Sequence, residues 1–475
     1  LNQESLAMPK IAAAFVLSLL LSSTAPSAET VTVLDGSERT ALRITVYNNN
    51  FAAVSEARAL SVPEGLNRIE FGGVSAMIEP ETALLEGGDF EFIEQNFDYD
   101  LLSPGKLIEK AVGKQILVER MNPATGKTNV EEATVLSANN GVVLRFRDGI
   151  EIFQQGGFPE RFAFKEIPAN LRAKPTLSTL VNAAQPFQGE VRLSYLTGGF
   201  QWKADYVGNL SADEKTMDIQ AWVTLSNTSG TDFSRVKLQL VAGEVNRATP
   251  RIHYEMADKV VYAVGGTPAR EALGDFHLYT VAHPTDIQNN QTKQVALFAA
   301  AAVPVEKFYV FDSVGETEKF QPVKVYYEFD NMAENRLGFP VPAGIFRVYA
   351  GDSTGKAQFV GESAISNTPE NERVILQPGN AFDVTVSEKV ASYKRDERRD
   401  PENRVAYIET FGKEVTVKNA KEAPVTVRFF EHFYGNWQIL AESQKHVEES
   451  AREIYWEVSV PAKGEAKLTY TKRTW

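Results

Sequence analysis

The segment spanning residues 191–246 constrains the fold most, because its apolar residues repeat at every second position along four consecutive stretches. Such alternation is typical of antiparallel strands with one buried face and one solvated face. Turns of small and polar residues separate the stretches at residues 197–199 (TGG), 211–214 (SADE) and 227–230 (NTSG). The segment therefore predicts four strands joined by short turns.

Within this segment, Trp202 is predicted to point into the protein interior. It shares one strand face with Ala204 and Tyr206, whereas Lys203 and Asp205 occupy the opposite face. We therefore expect Trp202 to be a core residue rather than a platform for a ligand.

The same alternation recurs along the chain and predicts an all-β protein of several antiparallel, immunoglobulin-like β-sandwich units, with a small inserted β-barrel-like meander and few short helices. The predicted parts are a signal peptide (1–28), an N-terminal β segment packing on the sandwich (29–100), a short helix with a small β-meander or barrel (101–169), a central β-sandwich (170–391) and a C-terminal immunoglobulin-like β-sandwich (392–475). The mixed-charge run at residues 394–400 is expected to be a solvated loop between the last two parts.

Residues 101–113 carry the best helix signal. Ser103 can cap the helix, Pro104 suits its first position, and Gly113 suits its exit. Strands are predicted next at residues 115–119, 129–136, 142–146 and 150–153. Because Asn-Gly and Asp-Gly turns favour tight hairpins, we expect this meander to form a small closed or half-closed barrel that folds as a separate unit.

Two short segments of the chain have similar sequences, and this similarity is called the echo below. Residues 223–227 and 415–419 each end a predicted strand with an asparagine at a polar turn. Two related sandwich units would produce this echo. Independent use of asparagine at turns would produce it equally well, and the sequence leaves both explanations open.

The first 28 residues are typical of a secretory signal peptide. A short basic region at residues 8–10 precedes an apolar stretch at residues 11–21 and a run of small residues. We expect cleavage after Ala28, with Ala25 as the alternative, and Met8 is a candidate translation start. The apolar stretch is too short to cross about 30 Å of hydrocarbon. We therefore expect a periplasmic protein with no transmembrane segment after signal removal.

Cysteine content and net charge exclude several classes of protein. The chain has no cysteine, so disulfides and thiol catalysis are excluded. Its formal net charge is −13, whereas phosphate recognition needs a basic face, and no nucleic-acid partner is expected. A bacterial periplasm is compatible with the absence of cysteine.

Several motifs occur in an order that resembles a known family. They lie at residues 193–206 (LSYLTGGFQWKADY), 225–233, 242–245, 340–344, 365–369 and 456–460. Together they resemble the bacterial exported proteins of unknown function named after mucoidy inhibitor A, from about Thr45 to the C-terminus. Longer members resemble a head domain followed by a coiled coil, and no heptad repeat occurs here. The resemblance implies the fold and an envelope location, and it supplies no catalytic residues.

No group of residues in the sequence indicates catalysis, a cofactor or a metal. His277 and His283 lie close together, but their spacing does not place both on one face of a strand or helix. Asp98 and Asp100 could bind Ca²⁺, although they more simply mark a strand end. Ser363 lacks the second glycine of a nucleophile elbow. We therefore predict no catalytic, cofactor-binding or metal-binding residue.

Aromatic residues near the C-terminus are the best functional clue. On a strand, Phe430, His432 and Tyr434 face one way, while Phe429 and Phe433 face the other. One interpretation is a sandwich core with a covered edge, and the other is an aromatic platform for a sugar or a peptide. The predicted aromatic binding surface comprises Phe430, His432, Tyr434 and Trp437.

These observations together predict an exported, soluble protein of the cell envelope that is a non-catalytic binding or structural module. Its partner would be an envelope protein or a glycan. The alternative is an envelope hydrolase acting on polysaccharide or peptidoglycan, because a paired-carboxylate mechanism needs only two suitably placed groups among 62 acidic residues. The sequence leaves the choice between enzyme and non-enzyme open.

Overall fold

The computed structural model describes residues 29–122, 124–139, 141–153, 160–168, 171–243, 245, 247, 270–273, 276–317, 319–399 and 405–475. The predicted signal peptide lies outside these residues. Almost every element within them is a β-strand, which confirms the all-β prediction. No helix in the described part of the chain is long and apolar enough to cross a membrane.

The elements follow one another along the chain with short connections. The strands are β1 (Thr30–Leu34), β2 (Arg39–Val46), β3 (Phe51–Val62), β4 (Gly65–Gly72), β5 (Leu84–Glu86), β6 (Phe90–Asp98), β7 (Gln115–Met121), β8 (Thr128–Ser137), β9 (Val142–Phe146), β10 (Gly149–Phe153), β11 (Glu160–Ala163), β12 (Thr176–Ala183), β13 (Phe187–Gly198), β14 (Phe200–Leu210), β15 (Thr216–Asn227), β16 (Phe233–Ala242), β17 (Arg270–Leu273), β18 (Phe276–Thr280), β19 (Thr285–Ile287), β20 (Gln291–Pro304), β21 (Glu306–Asp312), β22 (Gln321–Asp330), β23 (Gly344–Gly351), β24 (Ala357–Ile365), β25 (Arg373–Arg399), β26 (Val405–Asn419), β27 (Val425–His432), β28 (Trp437–Glu442), β29 (Val447–Ser450), β30 (Glu453–Val460) and β31 (Gly464–Thr474). Helix α1 spans Pro104–Lys110, and single 3₁₀ turns occur at Pro80–Thr82 and Ala333–Asn335.

The chain divides into two compact units. Among the described residues, the first comprises those in the ranges 29–40, 57–74 and 85–192, and the second comprises those in the ranges 41–56, 75–84 and 193–475. The finer domain boundaries expected from the sequence stay predictions.

The first unit contains a four-stranded sheet in the order β1-β4-β12-β6 and a five-stranded sheet in the order β10-β9-β8-β7-β11. Helix α1 precedes β7 and begins where the sequence predicts. The Ser103 hydroxyl accepts a hydrogen bond from the backbone N–H of Lys106 at 3.2 Å, and Pro104 occupies the first helical position. The predicted cap is therefore confirmed.

The meander forms four of the strands of this five-stranded sheet, and β11 adds the fifth at one edge. The edge strands β10 and β11 are not paired with each other in the described residues, so the closed form of the expected closed or half-closed barrel is absent. A barrel closes to bury its inner face and to remove its edges. Here Ala111, at the end of α1, packs against Ile116 and Val135 of the sheet. The end of the helix thus helps to cover the apolar face of the sheet, so this face is shielded from solvent without closure of the sheet into a barrel.

The four strands predicted in the central segment are β13 to β16, and they confirm the alternation pattern. β14 and β15 are antiparallel neighbours in the sheet β20-β15-β14-β23-β24, whereas β16 pairs with β2 and β18 in another sheet. Gly199 in the turn before β14 has φ +83°, and a Cβ there would lie 2.7 Å from the backbone of Ser229. Only glycine fits this turn without displacement of the backbone.

Trp202 lies inside the central region, as the sequence predicts. Its side chain is buried, and its indole N–H donates a hydrogen bond to the carbonyl of Val241 at 3.3 Å. Since Trp202 belongs to β14 and Val241 to β16, this bond joins the two sheets across the interior. The indole contributes both apolar area and a satisfied polar group.

The C-terminal part forms a nine-stranded sheet in the order β28-β31-β26-β25-β22-β21-β27-β30-β29. β30 and β31 lie far apart in this order, yet the rings of Trp456 on β30 and Tyr470 on β31 are 4.4 Å apart between centroids. The sheet therefore folds over on itself and encloses a core, as in a β-sandwich.

The expectation that the charged run forms a loop is wrong for residues 394–399. They belong to β25, a strand of 27 residues that also crosses the predicted boundary between residues 391 and 392. Arg395 lies opposite Glu409 of β26, and the backbone ladder continues to Arg399. Pairing with β26 satisfies the backbone groups that face it, and Arg395 faces the opposite charge of Glu409 across the ladder, so a highly charged stretch remains extended.

Candidate functional site

The C-terminal sandwich carries an open cleft of about 590 Å³, which we call the C-terminal cleft. Neighbouring residues of β26 and β31 line one side, with Glu409 opposite Thr474 and Phe411 opposite Lys472. The loop after β21 and the end of β27 supply the other sides. The remaining lining residues are Ser313, Val314, Gly315, Tyr407, Glu431, His432, Phe433, Tyr434, Gly435 and Trp475.

An ion pair lies at the base of the cleft. The ammonium of Lys472 is 2.6 Å from a carboxylate oxygen of Glu431, and the Tyr470 hydroxyl donates to the other oxygen. Burial, together with the neighbouring Glu431 charge, raises the pKa of Tyr470, so its hydroxyl stays a donor. Lys472 also lies 5.6 Å from the ring centres of both Phe411 and Phe433. Glu431 is therefore held by two donors and by burial.

A second ion pair connects one wall of the cleft with the core. Lys413 and Glu388 are almost fully buried, and their charged atoms are 2.9 Å apart. The Ser313 hydroxyl donates to Glu388 at 2.7 Å, and Lys413 donates to the carbonyl of Gly315. Because Ser313 and Gly315 line the cleft, the buried pair determines the position of this wall.

Three aromatic side chains of the cleft are strongly exposed. The exposed fractions are 46% for Tyr407, 96% for Tyr434 and 50% for Trp475. The guanidinium of Arg395 lies 3.6 Å from the ring centre of Tyr407 and restrains that ring. The cleft thus presents flat apolar surfaces beside fixed charges.

Tyr393 on β25 orders the neighbouring part of the cleft. Its hydroxyl donates to Glu409 at 2.8 Å, and its ring packs 4.9 Å from that of Phe411. Glu409 is therefore held in place at one oxygen. The carboxylate has further acceptor capacity, because an ionised carboxylate offers about four lone-pair directions.

His432 and Phe430 lie on the outward face of β27, and Phe429 and Phe433 lie in the core, as predicted. His432 lines the cleft, with its ring nitrogens 3.3 Å from Asp312 and 3.2 Å from Glu453. Phe430 does not line the cleft. Its ring packs against that of Tyr455 at 5.0 Å instead.

Tyr434 and Trp437 also differ from each other in environment. Tyr434 lines the cleft, beyond the end of β27. Trp437 stacks on Phe433 at 4.4 Å, packs against the core, and donates its indole N–H to the carbonyl of Ala451 at 2.9 Å. The structure therefore brings His432 and Tyr434 together and leaves Phe430 and Trp437 outside the cleft. Ligand binding by all four stays a prediction.

Sequence reasoning missed Tyr393, Tyr407, Phe411 and Trp475. A signal for two of them was present, because Tyr407, Glu409 and Phe411 alternate along one strand and so share a face. Tyr393 could not be found in this way. It meets Phe411 only through the register of β25 with β26, next to a charged run that resembled a loop.

Other candidate sites have structural explanations. Asp98 lies 3.3 Å from Arg172, and Asp100 lies 2.8 Å from Lys110, so these carboxylates already have cationic partners. The Ser363 hydroxyl accepts a hydrogen bond from the backbone of Gln377 at 3.1 Å. No group of three or more potential metal ligands occurs among the residues that the structure describes.

Comparison with known proteins adds a family. The model described as "Domain of unknown function (DUF4139)" matches residues 191–474. This range contains the central strands β14 to β16 and all but the last residue of the C-terminal cleft. No curated protein matches the chain.

Proposed function

Because the chain belongs to the DUF4139 family, whose description states no activity, we propose a function from the geometry of the C-terminal cleft. The protein is an exported component of the cell envelope that binds a ligand in this cleft without catalysis. The observation that carries the proposal is the set of exposed aromatic rings of Tyr407, Tyr434 and Trp475 around the fixed Glu431–Lys472 pair.

Exposed aromatic surface supports binding. Large apolar surfaces rimmed by polar groups are typical of interaction sites in soluble proteins. Tyrosine and tryptophan are favoured there because they offer a large rigid ring and a polar atom at little entropic cost. Arg395 restrains the ring of Tyr407, and Tyr393 packs on the neighbouring ring of Phe411, so this part of the surface is preorganised before a ligand arrives.

The alternative function, hydrolysis of polysaccharide or peptidoglycan, has one specific observation in its favour. Two carboxylates, Glu409 and Glu431, line the same cleft. A paired-carboxylate mechanism requires both groups to reach the scissile bond. Glu431 is buried and already accepts bonds from Tyr470 and Lys472, so it is poorly placed for that role. Binding without hydrolysis is therefore the better-supported function.

Export and an envelope location are part of this proposal. They rest on the signal-peptide features of residues 1–28 and on the resemblance to proteins named after mucoidy inhibitor A. We expect the mature protein to begin near Glu29 and to leave the periplasm by osmotic shock without detergent. Recovery only in detergent extracts, with residues 11–21 retained, would contradict this location.

The binding function is tested with the purified full-length protein and isolated envelope material. The protein is mixed with peptidoglycan sacculi and, separately, with soluble envelope polysaccharide. We expect saturable co-sedimentation or complex formation with one of them and no release of new reducing ends.

Release of reducing ends that Glu409→Gln abolishes would instead establish the hydrolase. Glu422→Gln is the matched control, since Glu422 is an exposed acid that does not line the cleft. Absence of binding to both preparations would count against the binding function.

A further inference from the structure

We infer that the C-terminal cleft binds an uncharged saccharide chain, which lies along β26 across Tyr407 and Phe411. The inference rests on the proposed binding function and adds the chemical class of the ligand. Its basis is an alternation of aromatic rings and hydrogen-bonding groups along a single strand face.

The spacing along β26 determines the length of the ligand. Tyr407, Glu409 and Phe411 lie on one face because alternate residues of a strand point the same way. Four steps of about 3.3 Å separate Tyr407 from Phe411, which amounts to about 13 Å. A ligand that contacts both rings must therefore be longer than one sugar unit.

The chemistry of this face matches a saccharide. A pyranose ring has flat C–H faces that pack on aromatic rings and a rim of hydroxyl groups that donate and accept hydrogen bonds. Between the two rings, Glu409 keeps acceptor capacity beyond its bond from the Tyr393 hydroxyl. Lys472, opposite Phe411, has three donors, one of which serves Glu431. Along β26, the carboxylate of Glu409 thus lies between the rings of Tyr407 and Phe411, and the ammonium of Lys472 lies beside Phe411.

Charge favours a neutral ligand. The cleft is lined by the carboxylates of Glu409 and Glu431 and by the ammonium of Lys472, so neither sign dominates strongly. The protein as a whole has a formal net charge of −13, which repels polyanions. Neutral sugars avoid both this repulsion and the desolvation of a charged ligand.

A peptide fits this surface less well. Extended peptides commonly bind by adding a strand to an unpaired sheet edge. From Glu409 to Asn419, β26 is paired with β25 on one side and with β31 on the other. The backbone of β26 therefore cannot pair with a peptide strand at Glu409 and Phe411. A ligand can contact only the side chains there, including the faces of the aromatic rings.

The test titrates full-length protein with four neutral tetrasaccharides: chitotetraose, cellotetraose, maltotetraose and mannotetraose. Tetra-alanine and N-acetylglucosamine serve as the peptide and single-sugar probes. Binding is followed by calorimetry and by tryptophan fluorescence, to which the exposed Trp475 contributes. We expect at least one tetrasaccharide to bind saturably, and the single sugar to bind at least about tenfold more weakly.

Variants then locate the site. Tyr407→Ala is expected to weaken tetrasaccharide binding by about tenfold or more, because an aromatic anchor is lost. Tyr407→Leu removes the same aromatic ring and provides a second variant if Tyr407→Ala fails to fold. Tyr99→Ala is the matched control, since Tyr99 is 70% exposed and does not line the cleft. Its affinity should remain within about twofold of the original.

The outcomes separate the two proposals. If no tetrasaccharide binds, or if removal of the Tyr407 ring leaves the affinity unchanged, the saccharide inference is wrong. Binding of tetra-alanine that Tyr407→Ala weakens would also overturn it, but would leave a binding function in place. Cleavage of any tetrasaccharide would overturn the non-catalytic function itself.

Discussion

Two asparagine turns, at Asn227 in the central region and at Asn419 in the C-terminal region, have the same construction. The side-chain oxygen of each accepts from the backbone N–H two residues further on, at 3.0 Å in both turns. Each side-chain amide donates to the carbonyl four residues further on, at 3.0 and 2.9 Å. The echo between these two segments therefore has a physical basis, since both asparagines replace a main-chain partner at a strand end.

The strands that lead into these turns differ in their buried faces. Six residues before the asparagine, β15 has Ala221 and β26 has Lys413, and both are buried. The ammonium of Lys413 requires a partner and finds it in Glu388 on β25. In the central region a comparable link is the neutral bond from Trp202 to Val241. Similar turns can therefore close sandwiches whose interiors are held by different interactions.

The largest effect is expected from Trp202→Ala, which tests the apolar interior of the central region. Truncation of a buried indole leaves a cavity and removes the bond to Val241, at a cost of about 3 to 5 kcal/mol in the free energy of unfolding. Urea denaturation measures this loss. A variant that keeps its stability but loses ligand binding would show that Trp202 is a binding platform.

Lys413→Met tests the charged interior of the C-terminal region. It leaves the Glu388 carboxylate buried without its cation, and we expect a loss of about 3 kcal/mol or more. The double variant Lys413→Met/Glu388→Leu should recover most of this loss in urea denaturation, because an apolar pair needs no desolvated charge. A double variant as unstable as the single one would contradict the interpretation.

The two turns themselves are compared with Asn227→Ala and Asn419→Ala. Each change removes a buried amide side chain together with its hydrogen bonds to the backbone of the turn, so each should lower the free energy of unfolding by about 1 to 3 kcal/mol. Thermal and urea unfolding of both variants provide the measurement. The turns are equivalent if the two losses agree within about 0.5 kcal/mol. An unchanged free energy of unfolding for one variant would show that the two turns contribute differently.

The smallest effect concerns acid pH. Burial alone would raise the pKa of Glu442, but bonds from His446 and Trp456 outweigh it and lower the pKa below its ordinary 4.5. The stabilisation from Glu442 is therefore complete above pH 4.5 and is lost as the pH falls through the lower folded-state value. Unfolding midpoints measured from pH 7 to pH 3 should fall less for Glu442→Gln than for the original protein. Equal slopes would contradict this assignment.

Asp205 provides the counterpart in the central region. Its pKa is also lowered, because bonds from Thr224 and Arg347 outweigh the effect of burial. Asp205→Asn should therefore reduce the acid dependence in the same direction. An acid dependence that Asp205→Asn leaves unchanged would contradict the lowered pKa of Asp205.

The sequence by itself determined the local elements. Alternation of apolar residues identified β13 to β16, Ser103 and Pro104 identified the start of α1, and the face shared with Ala204 and Tyr206 placed Trp202 in the core. These features depend on residues close together in the chain. Strand periodicity and helix caps are therefore readable without knowledge of the partners.

The tertiary structure alone decided the rest. The pairing of Lys413 with Glu388, the contact between Tyr393 and Phe411, and the extended state of residues 394–399 all depend on the register of β25 with β26. The open sheet of the meander likewise depends on packing beside α1. Register and sheet packing join residues that are distant in sequence, and alternation along one strand contains no information on which residue of another strand lies opposite.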